Sequence, residues 1–272
     1  MLYDIYGTKL TMDAVSVDYD RGVKGVNHRG YSAIAPENTL PAYVLSRKMG
    51  FQYAECDVSF TADGVPVLLH DSTIDRTSDG SGSIGALTLE EARQYDFGSW
   101  KSEQYAGTKI PTLEEFIVCC KNIGLHPYIE LKSNGNSYTQ EQISTIVSIV
   151  HQKGMAGRVT YISFKPEFLQ YVKEADPAAR LGYLGYLATD ALSQSVIDSA
   201  ASLKTGQNEV FIDAYLDAFA QENIAYCAEN GVGLEVWTVN SADSIKNMNP
   251  YITGVTSDSL HACKVLFEAA MA

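Results

Sequence analysis

Residues 127 to 150 read PYIELKSNGNSYTQEQISTIVSIV, and this stretch decides the fold. Its first part, Pro127 to Ser133, is a short apolar and aromatic run closed by an Asn-Gly-Asn cluster, the pattern of a β-strand ending in a loop. Thr139 and Gln142 then stand at capping-box spacing, in which two side chains satisfy the free amides at a helix N-terminus. Behind them Ile143, Ile146, Val147 and Val150 fall at i, i+3, i+4 and i+7 and gather on one face. A strand followed by an amphipathic helix is the unit of a parallel sheet, because a parallel partner requires a long crossover.

The same unit recurs on both sides. Candidate strands are Val26 to Gly30, Tyr53 to Ser59, Pro127 to Ser133, Arg158 to Phe164, Arg180 to Leu187, Glu209 to Tyr215, Gly233 to Asn240 and Ile252 to Asp258. A helix-like segment follows each. Thr112 with Glu115 repeats the capping box, and Gly50, Gly124, Gly154 and Gly231 stand where helices should end. Eight such repeats predict an α/β fold of the TIM (β/α)8 type, an architecture that typically takes about 250 residues as one domain. The expected division is an N-terminal arm over residues 1–24 and a single barrel domain over 25–272. Two stretches depart from the repeat. Residues 60–71, FTADGVPVLLHD, read as a hairpin arm turning at Asp63-Gly64. Residues 72–111, with a capping box at Thr88 and Glu91, read as a short insertion after the second strand that caps the active face.

Bulk properties narrow the function. The 272 residues carry a net charge of −13, which argues against a nucleic-acid partner and against an anionic membrane surface. A phosphate-bearing ligand would need a bound cation or an inward Lys or Arg to oppose that charge. Five cysteines show no disulfide or zinc spacing and fit a reducing compartment. With no signal-peptide pattern at the N-terminus and no long apolar run, a cytoplasmic chain without stable membrane insertion is expected, an extracytoplasmic one being the alternative if a signal peptide was removed.

Glu55 and Asp57 are two residues apart on an extended run and project from one face, which in a barrel is the interior. Two carboxylates in a low-dielectric site repel unless a cation neutralises them, and hard oxygen donors suit Mg²⁺ or Ca²⁺. Taken alone the pair also fits a salt-bridged strand end. Glu130 and Lys132 repeat the spacing on the next barrel strand, either as a third oxygen ligand beside a phosphate-holding ammonium or as a neutral internal ion pair. His28 and His70 close the first strand and the hairpin arm. Phosphodiester cleavage requires one group to take a proton and another to give one, and two imidazoles suit this. Trp237, on the seventh strand, is either core or an apolar wall for a ligand.

These residues lie in an ordered string that resembles the glycerophosphodiester phosphodiesterase family. The matching segments include His28-Arg29-Gly30, Pro36-Glu37-Asn38-Thr39, Glu55-Cys56-Asp57-Val58, Pro66-Val67-Leu68-Leu69-His70-Asp71, Asp75-Arg76-Thr77, Glu130-Leu131-Lys132, Trp237-Thr238-Val239-Asn240 and Gly254-Val255-Thr256-Ser257-Asp258. Ser259 departs from the proline often found after the last of these. The resemblance implies a TIM barrel in which Glu55, Asp57 and Glu130 ligate one divalent cation, Mg²⁺ or Ca²⁺. It further implies that His28 and His70 act as general base and acid, and that Arg29 and Lys132 contact the phosphate. The implied reaction is hydrolysis of a small glycerophosphodiester to sn-glycerol 3-phosphate and an alcohol, with a place in lipid and glycerol metabolism. Headgroup and oligomeric state carry no sequence signal. Phospholipase D-like and sphingomyelinase D-like enzymes resemble this family too, but they must admit lipid tails, and residues 72–111 are mostly polar. A non-catalytic barrel that binds a phosphate ester would need neither both histidines nor all three acids.

Overall fold

The computed structural model describes residues 23–132, 138–185, 193–215, 221–241 and 248–258, together with the backbone pairing of two short strands, β1 (Leu2–Tyr3) and β2 (Lys9–Leu10). The remainder of the expected arm, the strand ends at Ser133 and Leu187, Ser259 and the segment after it lie outside the described residues.

Eight strands close into a parallel barrel: β3 (Lys24–Asn27), β4 (Tyr53–Phe60), β6 (His126–Leu131), β7 (Thr160–Ser163), β8 (Arg180–Leu184), β9 (Val210–Ala214), β10 (Gly233–Val236) and β11 (Ile252–Ser257). Closure is made by β3, which pairs with β11 on one side and β4 on the other. Helices α1 (Leu40–Lys48), α3 (Leu113–Ile123), α4 (Gln140–Gln152), α5 (Pro166–Ala175), α6 (Gln194–Ser202) and α7 (Gln221–Glu229) alternate with the strands. The capping boxes at Thr88, Thr112 and Thr139 are all formed. Ile143, Ile146, Val147 and Val150 are buried on α4 as the period demands. They join the main core between barrel and helices, where Cys56 also lies, its side chain turned away from Glu55 and Asp57.

The strand β5 (Pro66–Leu68) folds back antiparallel on the long end of β4, and Gly64 makes the turn with φ +77°. The insertion 72–111 then holds a short helix, α2 (Leu89–Ala92). It buries Ile74, Ile84, Ala92, Phe97 and Ile110 against Val67 and Leu69 of the arm. A small apolar cluster of its own thus anchors it, beyond the plain cap that its length suggests.

Strand boundaries differ from the sequence pattern at the functional end. The first strand stops at Asn27, so His28, Arg29 and Gly30 form a turn, with Arg29 at φ +56° and Gly30 at φ +77°. A Cβ on Gly30 would stand 2.7 Å from that of Ala42, so glycine is needed both for the left-handed backbone and for the approach of α1. The seventh barrel strand likewise ends at Val236, leaving Trp237 to Asn240 as loop.

Candidate active site

The strand register builds the acidic centre. Residues opposite each other on neighbouring strands share a face, and β4 pairs with β6 so that Asp57 lies against Glu130 and Glu55 against Tyr128. Glu55, Asp57 and Glu130 are buried, and ligand oxygens from all three lie within 4.8 Å of one another. Lys132, two residues beyond Glu130, sets its ammonium 2.9 Å from Glu130 Oε1 and 3.5 Å from Asp57 Oδ1.

The cations answer only part of this charge. Arg29 Nε lies 3.4 Å from Asp57 Oδ2, and the Arg29 amide donates to Glu55 Oε2 at 2.9 Å, an orientation made by the left-handed turn. Asn38, also left-handed at φ +55°, donates from Nδ2 to Asp57 Oδ2 at 2.7 Å and accepts the Asp57 amide on Oδ1. Asp57 is thereby held below the usual carboxylate range: burial pushes its pKa upward, but Arg29, Lys132 and the Asn38 bond outweigh it. Glu55 goes the other way, raised by burial and then by the Asp57 and Glu130 charges. Glu130 is pushed up to about 7 by burial and by Asp57, with Lys132 opposing. Among the described residues Glu55 Oε1 and Asp57 Oδ1 have no hydrogen-bond partner, and Glu130 Oε1 meets Lys132 as an ion pair. Three buried carboxylates with orphaned, converging hard oxygens form a donor set that fits a divalent cation.

Both histidines are oriented by carboxylates. His28 Nδ1 lies 2.7 Å from Asp258 Oδ1, and His70 Nδ1 lies 2.7 Å from Asp71 Oδ1. A carboxylate accepts only, so each Nδ1 carries a proton and each ring is turned with Nε2 away from its carboxylate. Asp258 is fixed by Asn240, which donates to Oδ2 at 2.7 Å. Asp71 accepts from Arg76 at 2.7 Å, and the same guanidinium donates to both oxygens of Glu37, which holds Arg29 at 2.9 Å. The His70 pKa is lowered, first by burial and then by Arg29 and Lys132, against Asp57 and Asp71.

A cavity of about 420 Å³ opens at the C-terminal ends of the strands, lined by His28, Arg29, Glu55, His70, Glu130, Lys132 and Trp237, with Ile162, Phe164, Leu184, Asp213, Thr238 and Thr256 completing the wall. Asp57 stands behind it with no exposure. All eight residues singled out in the sequence therefore meet at one place. Trp237 donates its indole N–H to the Asp213 carbonyl at 2.9 Å and meets Phe164 edge-on, forming an apolar flank. Residues 72–111 supply none of the described lining; the insertion braces the rim through Arg76 and through Lys101, which donates to the Ser32 carbonyl. His126 opens β6 and His151 lies on α4, both outside the cavity lining, and His261 lies outside the described residues.

Asn38, Asp71, Asp258 and Arg76 were not assigned roles from sequence. Asp71 directly follows His70, and Asp258 closes a barrel strand, where site residues of this fold gather; those two signals were available. The Arg76 contacts depend on how the insertion folds, which local pattern does not encode.

Comparison with known proteins gives a consistent result. The chain is 31% identical over 246 residues to a Bacillus subtilis glycerophosphodiester phosphodiesterase, covering 85% of this chain and 81% of the relative. It is 29% identical over 234 residues to the enzyme of that name from Caldanaerobacter subterraneus, covering 86% and 93%. The structure of an Oleispira antarctica phosphodiesterase in complex with the product sn-glycerol-3-phosphate superposes with a TM-score of 0.78 at 28% identity, covering 91% of this chain and 96% of that one. An Agrobacterium tumefaciens glycerophosphodiester phosphodiesterase shares the fold, with a TM-score of 0.72 at 24% identity over 89% and 99%. The sequence model of the Glycerophosphoryl diester phosphodiesterase family matches residues 28–262, and with that match this chain is an enzyme that belongs to the family.

Proposed function

We propose that the chain hydrolyses glycerophosphodiesters to sn-glycerol 3-phosphate and an alcohol, with a divalent cation held by Glu55, Asp57 and Glu130. The observation that carries this reading is the convergence of three buried carboxylates, two cations and two carboxylate-oriented imidazoles on one cavity. A cation bound there would act as a Lewis acid on the phosphoryl oxygens. The chain's own groups do the rest. Arg29 and Lys132 offer N–H donors to a phosphate and offset its charge at the wall where the substrate must sit. His28 and His70, each held through Nδ1 by a carboxylate, divide proton removal from the attacking hydroxyl and proton delivery to the departing alcohol oxygen. Trp237 and Phe164 keep water from one side of the cavity. The Oleispira relative's product complex and the family match support the glycerol-containing substrate class. Among the described residues no helix is long and apolar enough to cross a membrane.

The test is release of glycerol 3-phosphate from glycerophosphocholine and glycerophosphoethanolamine, with EDTA and then with Mg²⁺ or Ca²⁺ restored. Release that stops with EDTA and returns with metal is expected, with His28→Ala and His70→Ala each slower by roughly 100-fold or more. Undiminished release in EDTA removes the cation from the proposal, and near wild-type rates in either variant remove that histidine.

A further inference from the structure

One carboxyl group in the cavity has no part in the acidic centre. Asp213 lies on β9, in register with Leu184 on β8 and Glu235 on β10, so its side chain points into the barrel with theirs. It lines the cavity wall yet is only 1% exposed, and its Oδ1 has no hydrogen-bond partner among the described residues. Ile162, Leu184 and Trp237 form the apolar part of the same wall, with Glu235 beside it on β10. A buried carboxyl without a partner is destabilising, and a leucine there would pack without that cost. An apolar wall carrying a single hydrogen-bonding group is the arrangement that orients a ligand in a pocket.

We infer that Asp213 is a specificity-determining residue, whose carboxyl group binds the terminal hydroxyl of the substrate's glycerol unit and so selects triol-derived phosphodiesters over diol-derived ones. The inference rests on the phosphodiesterase reading above. The hydroxyl next to the phosphate must stay near Arg29 and Lys132, which leaves the terminal one to reach the opposite wall. Burial, then Glu235 and Glu130, raises the Asp213 pKa against the pull of Arg180. Either form of the group can engage a hydroxyl, as acceptor or as donor. The Trp237 indole, tied to the carbonyl of the same residue, fixes the aromatic flank relative to this group.

The experiment compares kcat/KM for glycerophosphocholine with that for the matching propane-1,2-diol phosphocholine, which lacks only the terminal hydroxyl. The wild type is expected to favour the glycerol ester by roughly 10- to 100-fold, the range for a hydrogen bond to a strongly polar group. In Asp213→Leu that ratio should fall towards one, and in Asp213→Asn, which keeps a hydrogen-bonding amide, it should fall only in part. Thermal melting of Asp213→Leu at or above the wild-type midpoint shows that the fold is retained. Equal wild-type rates on the two esters overturn the inference, as does a leucine variant that slows both and preserves their ratio. Should the wild type cleave neither ester, the phosphodiesterase reading fails on its own account. Calorimetric binding of sn-glycerol 3-phosphate against propane-1,2-diol phosphate then decides: a preference abolished in Asp213→Leu sustains the role of Asp213, and no preference refutes it.

Discussion

At the scale of single residues the acidic centre is held against its own repulsion. Glu55 is raised well above the ordinary carboxylate range by burial and by two neighbouring acids, while Asp57 is kept ionised by Arg29, Lys132 and Asn38. Replacing the Glu55 carboxyl should therefore have opposite effects with and without metal. Glu55→Gln keeps an oxygen for the Arg29 amide and removes a carboxyl whose ionised form the folded site disfavours, so in EDTA at neutral pH its melting midpoint should lie above that of the wild type. With saturating Mg²⁺ or Ca²⁺ the wild type should gain stability by mass action and the variant little. Turnover of the variant should drop by roughly 1,000-fold, in line with the several kcal/mol ascribed to a catalytic cation. A lower midpoint in EDTA, or an equal metal-induced rise in both proteins, contradicts this account. The acids themselves were legible from their i, i+2 spacing on strands, since alternation puts both side chains inside. Asn38, whose hydrogen bond adds to the Arg29 and Lys132 charges in keeping Asp57 ionised, was not. It reaches Asp57 from a left-handed turn whose position depends on the packing of α1.

At the scale of elements the insertion matters through Arg76 alone among its charged residues touching the histidine network. Its guanidinium bridges Asp71, the partner of His70, and Glu37, the partner of Arg29, with bonds of 2.7 to 2.8 Å. The side chain is 46% exposed, so the ion pairs themselves contribute little to folding. Arg76→Ala should accordingly cost no more than about 1 kcal/mol in urea denaturation. It should nevertheless lower kcat by roughly 10- to 100-fold, the usual effect of losing an orienting partner, with partial rescue by added methylguanidinium. Parallel loss of stability and turnover would make Arg76 a folding residue instead. The insertion's existence could be read from its composition and from Thr88 with Glu91. Its bracing role could not, because three contacts across 39 and 5 residues of sequence arise only once β5 has folded onto β4. The boundary of β3 was misplaced for a similar reason. His28, Arg29 and Gly30 continue an extended pattern, whereas the chain turns there through the Gly30 amide on the Asn27 carbonyl and the tertiary bond from the Arg29 amide to Glu55.

At the scale of the whole molecule, eight βα repeats sufficed to announce the barrel, whereas the charges buried at its other end were invisible to periodicity. Glu235 on β10 is 1% exposed. Arg180 Nη2 meets its Oε1 at 2.6 Å, Tyr128 donates to Oε2 at 3.2 Å, and Lys24 lies 3.5 Å away. Arg180 also places its guanidinium 4.1 Å from the centre of the Phe211 ring, and Gly254 leaves room where a Cβ would stand 2.4 Å from the Glu235 carboxyl carbon. Strands β3, β6, β8, β9, β10 and β11 are thus tied together beneath the cavity floor. Such a cluster adds little over well-packed apolar residues, yet leaving one member unpaired is costly. Arg180→Met should destabilise the chain by roughly 3 kcal/mol, because it leaves the Glu235 carboxylate inside the barrel with only Tyr128 and the more distant Lys24. Adding Glu235→Gln to that variant should recover more than half of the loss, since the charge that needed a partner is gone. Urea denaturation of the two single variants and the double variant measures this coupling. Additive losses would mean that the two side chains act separately, and that barrel closure depends on the apolar layer of Val26, Ile162, Leu184 and Phe211 rather than on the ion cluster.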